Sequence, residues 1–368
     1  MQSDNLIRIS AAGAGKTYTI CHEAIETAQS KNSIIITYTN RGIESIRNEL
    51  RKANSGVMPI CVETLSWYAF ILREMIKPYQ SIIYDINQLQ GLNFQLMHER
   101  NYNKKTDPSR YIDSIGNVRA EEASSLAIVL NERSGGAVMS RIERIYSHIY
   151  IDEVQDMAGY DLDVIKLLMD SNVPVTIVGD GKQATFQTHY SRRNKNKSGE
   201  KFWEFFDHAK NDGLCRIEKN LCSRRFNKQI CNFANKIYPN ENNISTCMTE
   251  TTGHDGVFLI LEQDVERYCS TFHPTILRYN NRTDTRGYDS YNFGECKGMT
   301  FDRILIFPNK QLSEFIMKGS KLNSPMKYYV AVTRAKYSVA IVINGNGNFE
   351  SGEKIKIDDG NMTVYRIC

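Results

Sequence analysis

No apolar run in this chain approaches the 18 or more residues of a membrane-spanning helix, so no span and no membrane partner are expected. The opening residues Met1-Gln2-Ser3-Asp4 have neither a basic stretch nor an apolar one, which argues against a secretory signal and for the cytoplasm. Charge of one sign is also missing. Lys plus Arg number 46 against 42 Asp plus Glu, a net charge of +4, which excludes a protein that coats nucleic acid nonspecifically and leaves room only for a local basic groove. The nine cysteines include no Cys-x-x-Cys pair, and the spacings of seven and nine within Cys215, Cys222 and Cys231 match no common zinc site. Reduced, mostly buried thiols are the reading that remains. Repeats with a period of 20 to 50 residues are absent, which excludes a solenoid.

What is there is the composition of an ordinary folded protein, 41% hydrophobic and 24% charged over 368 residues. At roughly 100 to 200 residues per domain, that length predicts about two or three domains. Leu6-Ile7-Arg8-Ile9 reads as a short strand and leads into the small-residue run Ser10-Ala11-Ala12-Gly13-Ala14-Gly15-Lys16-Thr17, then a helical stretch through Ala28. The runs Ile34 to Thr37, Ile149 to Ile151 and Val173 to Val178 are short and β-branched, as buried parallel strands are. Helical stretches separate them, and strands near Val257 to Leu261, Thr275 to Tyr279, Arg303 to Phe307 and Val339 to Ile343 repeat the alternation. The pattern predicts an α/β fold with mostly parallel sheets and a domain boundary near residue 213.

Strand, glycine loop and helix form the context of a phosphate-binding loop. Gly13 and Gly15 let the backbone wrap phosphate oxygens, Lys16 supplies a cation for the β- and γ-phosphates, and Thr17 supplies a hydroxyl for Mg²⁺. Asp152-Glu153 at the end of an apolar strand are placed to bind Mg²⁺ and to activate water, respectively. Gly179-Asp180 and Gln183 end the next apolar strand, so two strands deliver polar tips to one sheet edge.

With these motifs in this order, the sequence resembles the ATPases of helicase superfamily 1, the UvrD/Rep/PcrA-like group, along almost the whole chain. Thr37-Tyr38-Thr39-Asn40-Arg41, with Glu44 and Arg47, looks like the block that contacts a single-strand backbone, and Thr64-Leu65-Ser66 like the next one. Asp152-Glu153-Val154-Gln155-Asp156 is similar to DExQD, and Gly179-Asp180 with Gln183 to GDxxQ. Ser223-Arg224-Arg225 looks like the fourth block, Lys297-Gly298-Met299-Thr300-Phe301-Asp302 like KGLEFD, and Val330-Ala331-Val332-Thr333-Arg334-Ala335 like the last.

The resemblance implies two RecA-like P-loop NTPase domains with parallel sheets and the ATP site at their interface. Residues 1–212 would form the first, with a small insertion at about 76–130, and residues 213–368 the second, with its insertion domain reduced to a loop at about 280–291. It implies ATP and Mg²⁺ as cofactors, with Gly13, Gly15, Lys16, Thr17, Asp152, Arg224 and Gly298 on the nucleotide and Thr17 and Asp152 on the metal. Glu153, Gln183, Arg225 and Arg334 would carry catalysis, the two arginines neutralising charge that develops in the transition state. Tyr38, Thr39, Asn40, Thr64 and Phe186 would contact single-stranded DNA.

The chain also departs from the pattern. Ser10 stands where the loop usually has its first glycine, Ser66 where relatives have histidine, and Thr300 where they have glutamate. Arg224 replaces the tyrosine that stacks on adenine, and its planar guanidinium is suited to the same stacking. Only nine residues precede Ser10, so the upstream glutamine that reads adenine is not expected. After Phe186, Thr188 and His189 stand where a second aromatic and an arginine would grip the strand, a loss worth roughly 1 to 3 kcal/mol per stacking platform.

The expected function is an ATP-dependent single-stranded DNA translocase or helicase in DNA repair or anti-phage defence. A second reading is an ATPase-fold subunit that senses DNA ends or nucleotides and controls a partner nuclease, since the stripped architecture resembles helicase-like subunits of bacterial anti-phage systems such as Gabija. A P-loop enzyme acting on a small molecule would leave the Thr39-Asn40 and Thr64 blocks unexplained.

Overall fold

The computed structural model describes residues 4–28, 31–83, 89–95, 103–184, 193–194, 202–343, 353–357 and 362–367. Two compact units divide the chain: Met1–Ile9 with Lys16–Lys219, and Ser10–Gly15 with Asn220–Cys368.

In the first unit, six strands lie in the order Val62–Ser66, Asn32–Thr37, Tyr146–Ile151, Val175–Gly179, Leu6–Ser10, Arg216–Asn220. The first five pair in parallel, and their register sets Ile35 beside both Thr64 and Tyr150 and Ile7 beside Ile177. Alternation along each strand decides which face a side chain enters. Ile34 and Ile36 join one core with Trp67, Phe70, Ile149 and Ile177. Ile35 joins the other, with Ile20 and Ala24 of helix Lys16–Thr27 and Ile46 and Leu50 of helix Asn40–Ala53. Burial on both faces explains why these strands read as unbroken apolar runs rather than as alternating ones.

Within residues 76–130, the two-residue strands Leu92–Asn93 and Val118–Arg119 pair in parallel with each other and stay outside the six-stranded sheet. Helix Ala123–Arg133 instead sends Ala123, Leu126, Ala127 and Leu130 into the main core. The buried carboxylate of Asp161 ties that helix down: it accepts from Trp67 Nε1 at 2.9 Å and from Ser124 Oγ at 2.5 Å.

The second unit has a seven-stranded sheet in the order Ser290–Asn292, Thr275–Arg278, Phe301–Phe307, Ala335–Ile343, Gly256–Leu261, Met362–Arg366, Glu353–Ile357. Its first five strands are parallel, and the last two form an antiparallel extension. Val257, Leu259, Ile304, Ile306, Val339 and Ile341 face one core, whereas Phe258, Ile260, Leu305, Ala340 and Val342 face the other. Numbered in chain order within each unit, the five parallel strands of both sheets follow the sequence 3-2-4-5-1.

Candidate nucleotide site and strand-contact residues

The loop from Ser10 to Gly15 leaves strand Leu6–Ser10 and enters helix Lys16–Thr27. Gly13 and Gly15 have φ of +74° and +83°, the left-handed region in which only glycine is unstrained. Gly13 is also constrained by space, because a Cβ there would lie 2.5 Å from Arg225 Cβ and 2.7 Å from Ser223 Oγ; Gly15 is open, so its backbone angle alone demands glycine. The loop rests on the segment Asn220–Arg225: Ala11 N–H donates to Asn220 O and Arg224 N–H to Gly13 O, both at 2.9 Å. Ser10, in the place of the usual glycine, has a buried hydroxyl without a hydrogen-bond partner.

In the first unit, strand Tyr146–Ile151 runs into Asp152, which is only 3% exposed. Its carboxylate accepts from Thr17 Oγ1 at 3.4 Å and from the Glu153 N–H at 2.9 Å. Burial, then the adjacent Glu153 charge, raises its pKa above the usual carboxylate range, while Lys16 pulls it down. A buried carboxylate whose charge is poorly compensated, with a threonine hydroxyl against it, offers hard oxygen donors that suit Mg²⁺. That ion takes one or two protein oxygens and completes its shell with phosphates and water. No three His, Cys, Asp or Glu among the described residues cluster as a metal cage.

Glu153 adopts φ of +57°, uncommon for a residue other than glycine and concentrated at functional turns. Gln155 Nε2 donates to its Oε2, and Gln155 Oε1 accepts from the Asp180 N–H at 3.1 Å. Asp180 caps the turn Gly181–Gln183 by accepting from Lys182 N–H at 3.0 Å, and its second oxygen accepts from Gln183 Nε2 at 2.9 Å. The carboxylate of Glu153 and the amide of Gln183 are thus joined by an unbroken chain, Glu153–Gln155–Asp180–Gln183, across two neighbouring parallel strands. Gly179 makes room for it, since a Cβ there would sit 2.6 Å from Gln155 Oε1. Gln155 and Asp180 were legible only as members of their motifs; their role as links between the two strand tips needs the register.

Of the residues expected to touch a nucleic-acid strand, Tyr38, Thr39, Asn40 and Thr64 lie on the same unit. Thr39 caps helix Asn40–Ala53, its Oγ1 accepting from Gly42 N–H at 3.0 Å, so part of its role is structural. Tyr38 is half-buried with its ring 5.9 Å from that of Tyr68, which meets the exposed Phe94 edge-on at 5.1 Å. Thr64 accepts from Arg47 Nε at 3.0 Å and, with Arg47, Arg51 and Arg73, lines an open cavity of about 480 Å³. Phe186 lies outside the described residues.

In the second unit, Arg225 NH1 donates to Thr333 O at 3.1 Å, and its own N–H to Ser223 Oγ at 3.2 Å. Arg334 is 2% exposed and gives its guanidinium to Val330 O at 3.0 Å, Met299 O at 3.3 Å and Thr333 Oγ1 at 3.4 Å. The two arginines therefore meet at Thr333. Gly298 has φ of +83° with open space around it.

Residues 1–188 match the model of the AAA domain family AAA_19. The chain belongs to the AAA domain family. The match takes in Gly13 to Thr17, Asp152-Glu153 and Gly179 to Gln183, so in this AAA domain protein the glycine loop, the paired carboxylates and the glutamine all fall within the matched region. Its parallel sheets are those of RecA-like P-loop domains. Among solved structures, the chain is similar to the Arterivirus nonstructural protein 10 helicase, with a TM-score of 0.48 and 13% identity over 92% of this chain and 59% of that one. It is also similar to the complex of that helicase with DNA, with a TM-score of 0.48 and 12% identity over 94% of this chain and 61% of that one. The AAA domain protein thus spans about three fifths of the length of those chains. A search of curated proteins found no match.

Proposed function

We propose that this AAA domain protein is a Mg²⁺-dependent ATP hydrolase of helicase superfamily 1 that translocates on, or unwinds, DNA through a single strand. The observation that carries the reading is the hydrogen-bonded chain from Glu153 to Gln183 beside the Thr17–Asp152 pair. Gln155 holds one oxygen of Glu153, which turns the carboxylate into an oriented general base. Glu153 is placed to take the proton of the water that attacks the γ-phosphorus, and Lys16 to neutralise charge on the phosphates; Thr17 and Asp152 would hold Mg²⁺, which would supply further neutralisation of that charge. Gln183 reports on the γ-phosphate and shares that information with Glu153 through Asp180 and Gln155. Gly13 and Gly15 free the loop backbone for phosphate, and Arg224 and Gly298 flank the nucleotide. Arg225 and Arg334 supply the transition-state charge, each by exchanging a carbonyl partner for phosphate oxygen.

In this reading residues 1–212, with an insertion at about 76–130, form the first RecA-like domain and residues 213–368, with a loop at about 280–291, the second. Tyr38, Thr39, Asn40, Thr64 and Phe186 contact the strand, in repair or anti-phage defence in the cytoplasm. No helix among the described residues is long and apolar enough to cross a membrane. A second reading, a DNA- or nucleotide-sensing subunit that controls a partner nuclease, draws support from Arg334, whose guanidinium is buried against its own unit's carbonyls and must leave them to act. Steady-state ATP hydrolysis by the purified chain, with and without single-stranded DNA and with Lys16→Ala as the blank, separates the two. Strong stimulation by the strand is expected; hydrolysis indifferent to DNA, or absent until another protein is added, favours the regulatory subunit.

A further inference from the structure

Two thiols stand side by side next to Arg225. Strand Cys222–Ser223 pairs in parallel with Ser245–Thr246, which sets Ser245 directly beside Cys222. Residues two apart on a strand share a face, so Cys247, just past the strand end, lies diagonally across from Cys222 on that face. Both thiols converge on one carbonyl: Cys222 Sγ lies 3.9 Å and Cys247 Sγ 3.4 Å from Ser223 O, and the Cys247 N–H donates to that same oxygen at 3.0 Å. Cys247 is exposed and Cys222 half-buried. The contact with Cys247, more than burial, raises the Cys222 thiol above its ordinary value. The other cysteine of this neighbourhood, Cys231, is buried and turned away, its Sγ on Ile244 O at 3.2 Å.

We propose that Cys222 and Cys247 form a reversible disulfide, a modification site whose co-reactant is a peroxide or a small-molecule disulfide. With a peroxide, the exposed Cys247 thiolate attacks the O–O bond, becomes the sulfenic acid and releases hydroxide. The Cys222 sulfur then attacks the Cys247 sulfur, the S–S bond forms, and the sulfenic oxygen leaves with the Cys222 proton as water. With glutathione disulfide, two successive exchanges release two glutathione thiols. With about 4.8 Å between strands and about 3.3 Å of rise per residue, diagonal neighbours of a parallel pair lie about 8 Å apart at Cα, beyond the usual disulfide range of about 4.4 to 6.8 Å. Closure therefore draws the segment after Thr246 inward. Cys247 lies past the strand end and is exposed, so this movement disturbs no core.

The bond would act on the residues around Ser223. Thr246 Oγ1 donates to Ser223 O at 3.1 Å and to Phe226 O at 2.6 Å, Ser223 Oγ accepts the Arg225 N–H, and the Arg224 N–H holds Gly13 O. A crosslink at Cys222 thus pulls on the segment that holds both Arg225 and the phosphate loop, and it slows nucleotide turnover.

The linkage itself does not depend on the proposed function; the effect on turnover does. The full chain would be treated with glutathione disulfide or hydrogen peroxide, alkylated, digested and mapped by mass spectrometry. The expected product is a peptide pair joined through Cys222 and Cys247, lighter by two hydrogens, reversed by dithiothreitol, absent from Cys247→Ser and from Cys222→Ser, and retained in Cys231→Ser. A mixed disulfide on Cys247 alone, a different pairing, or no reaction overturns the proposal. In the same samples ATP hydrolysis should fall about ten-fold on oxidation and recover with dithiothreitol, a fraction of the roughly 10³ to 10⁵ that such an arginine supplies. Unchanged turnover in a fully linked chain overturns the regulatory role. A reduced chain without any turnover leaves the mass test standing and counts against the proposed function instead.

Discussion

The two sheets share the strand order 3-2-4-5-1, yet the chain leaves corresponding strands with opposite chemistry. After the first strand of the first sheet come Gly13, Gly15, Lys16 and Thr17; after Gly256–Leu261 come Glu262, Gln263 and Asp264, then helix Val265–Phe272. One exit presents freed backbone and a cation, and the other presents carboxylates, with Glu262 paired to Arg286. The fourth strands differ in the same way. Tyr146–Ile151 runs into Asp152-Glu153, whereas Phe301–Phe307 runs into Pro308 and Asn309, whose Oδ1 caps helix Lys310–Lys318 by accepting from Leu312 N–H at 3.0 Å. A shared strand order therefore does not make a site; in the proposed function it is the residues at the strand exits that bind phosphate.

The two exits differ most at Lys16. Lys16→Ala should lower ATP hydrolysis by about 10² to 10³ or more, as loss of a preorganised charge does, with the circular-dichroism spectrum unchanged. Undiminished turnover would remove the phosphate site from the first sheet. Glu153→Gln keeps the shape and removes the base: nucleotide binding should persist in a fluorescent-analogue titration while hydrolysis slows by about 10² to 10⁴. If binding is lost as well, Glu153 holds nucleotide or metal rather than a proton.

Stability separates the units next. Asp161→Ala would orphan the Trp67 indole N–H in the first core and should cost about 1 to 3 kcal/mol in denaturant unfolding, leaving the second unit untouched. Among the described residues, each unit holds a histidine kept neutral by its surroundings, half-buried His148 in the first and buried His254 in the second. His148 stacks on Tyr150 at 4.3 Å, and His254 lies between Phe258 and Phe272 at 4.1 and 3.9 Å with its Nε2 on Tyr268 OH at 2.9 Å. Burial lowers both from 6.5 to about 4. Because the unfolded chain takes up these protons first, stability is full above pH 6.5 and is lost as pH falls toward 4. At pH 5 the loss is about 2 kcal/mol per histidine. His254→Phe should flatten the acid limb of the thermal-melting profile; an unchanged limb would show that His254 does not titrate with unfolding. Smallest of all, Glu262→Ala at the second sheet's first exit should leave turnover within about two-fold, since that exit lacks the loop donors that bind anions. A large loss would place nucleotide chemistry in both sheets.

Much of this was legible in the chain itself. The runs Ile34 to Thr37 and Ile149 to Ile151 announced buried parallel strands because β-branched residues covered on both faces leave no polar alternation. Strand ends shifted by a few residues, as with Val175–Gly179, because the limits follow hydrogen bonding rather than hydropathy. Helix Ala123–Arg133 was hidden inside a polar stretch, since Ser124 and Ser125 are buried and blur its apolar face. Arg334 was readable as a cation but not as one turned onto the carbonyls of Val330 and Met299.

The amino-acid order by itself determined that Gly13, Gly15, Lys16 and Thr17 stand together shortly after an apolar run, and with them the functional groups that a phosphate loop needs. It also determined two rounds of strand–helix alternation, because hydrophobic period is a local property. Only the tertiary structure decided that Gln155 and Asp180 bridge Glu153 to Gln183, that Arg225 and Arg334 share Thr333, and that Cys222 meets Cys247. Each of these rests on register or close packing between segments 24 or more residues apart, and a hydrogen bond set by the relative position of two strands leaves no trace in either strand alone.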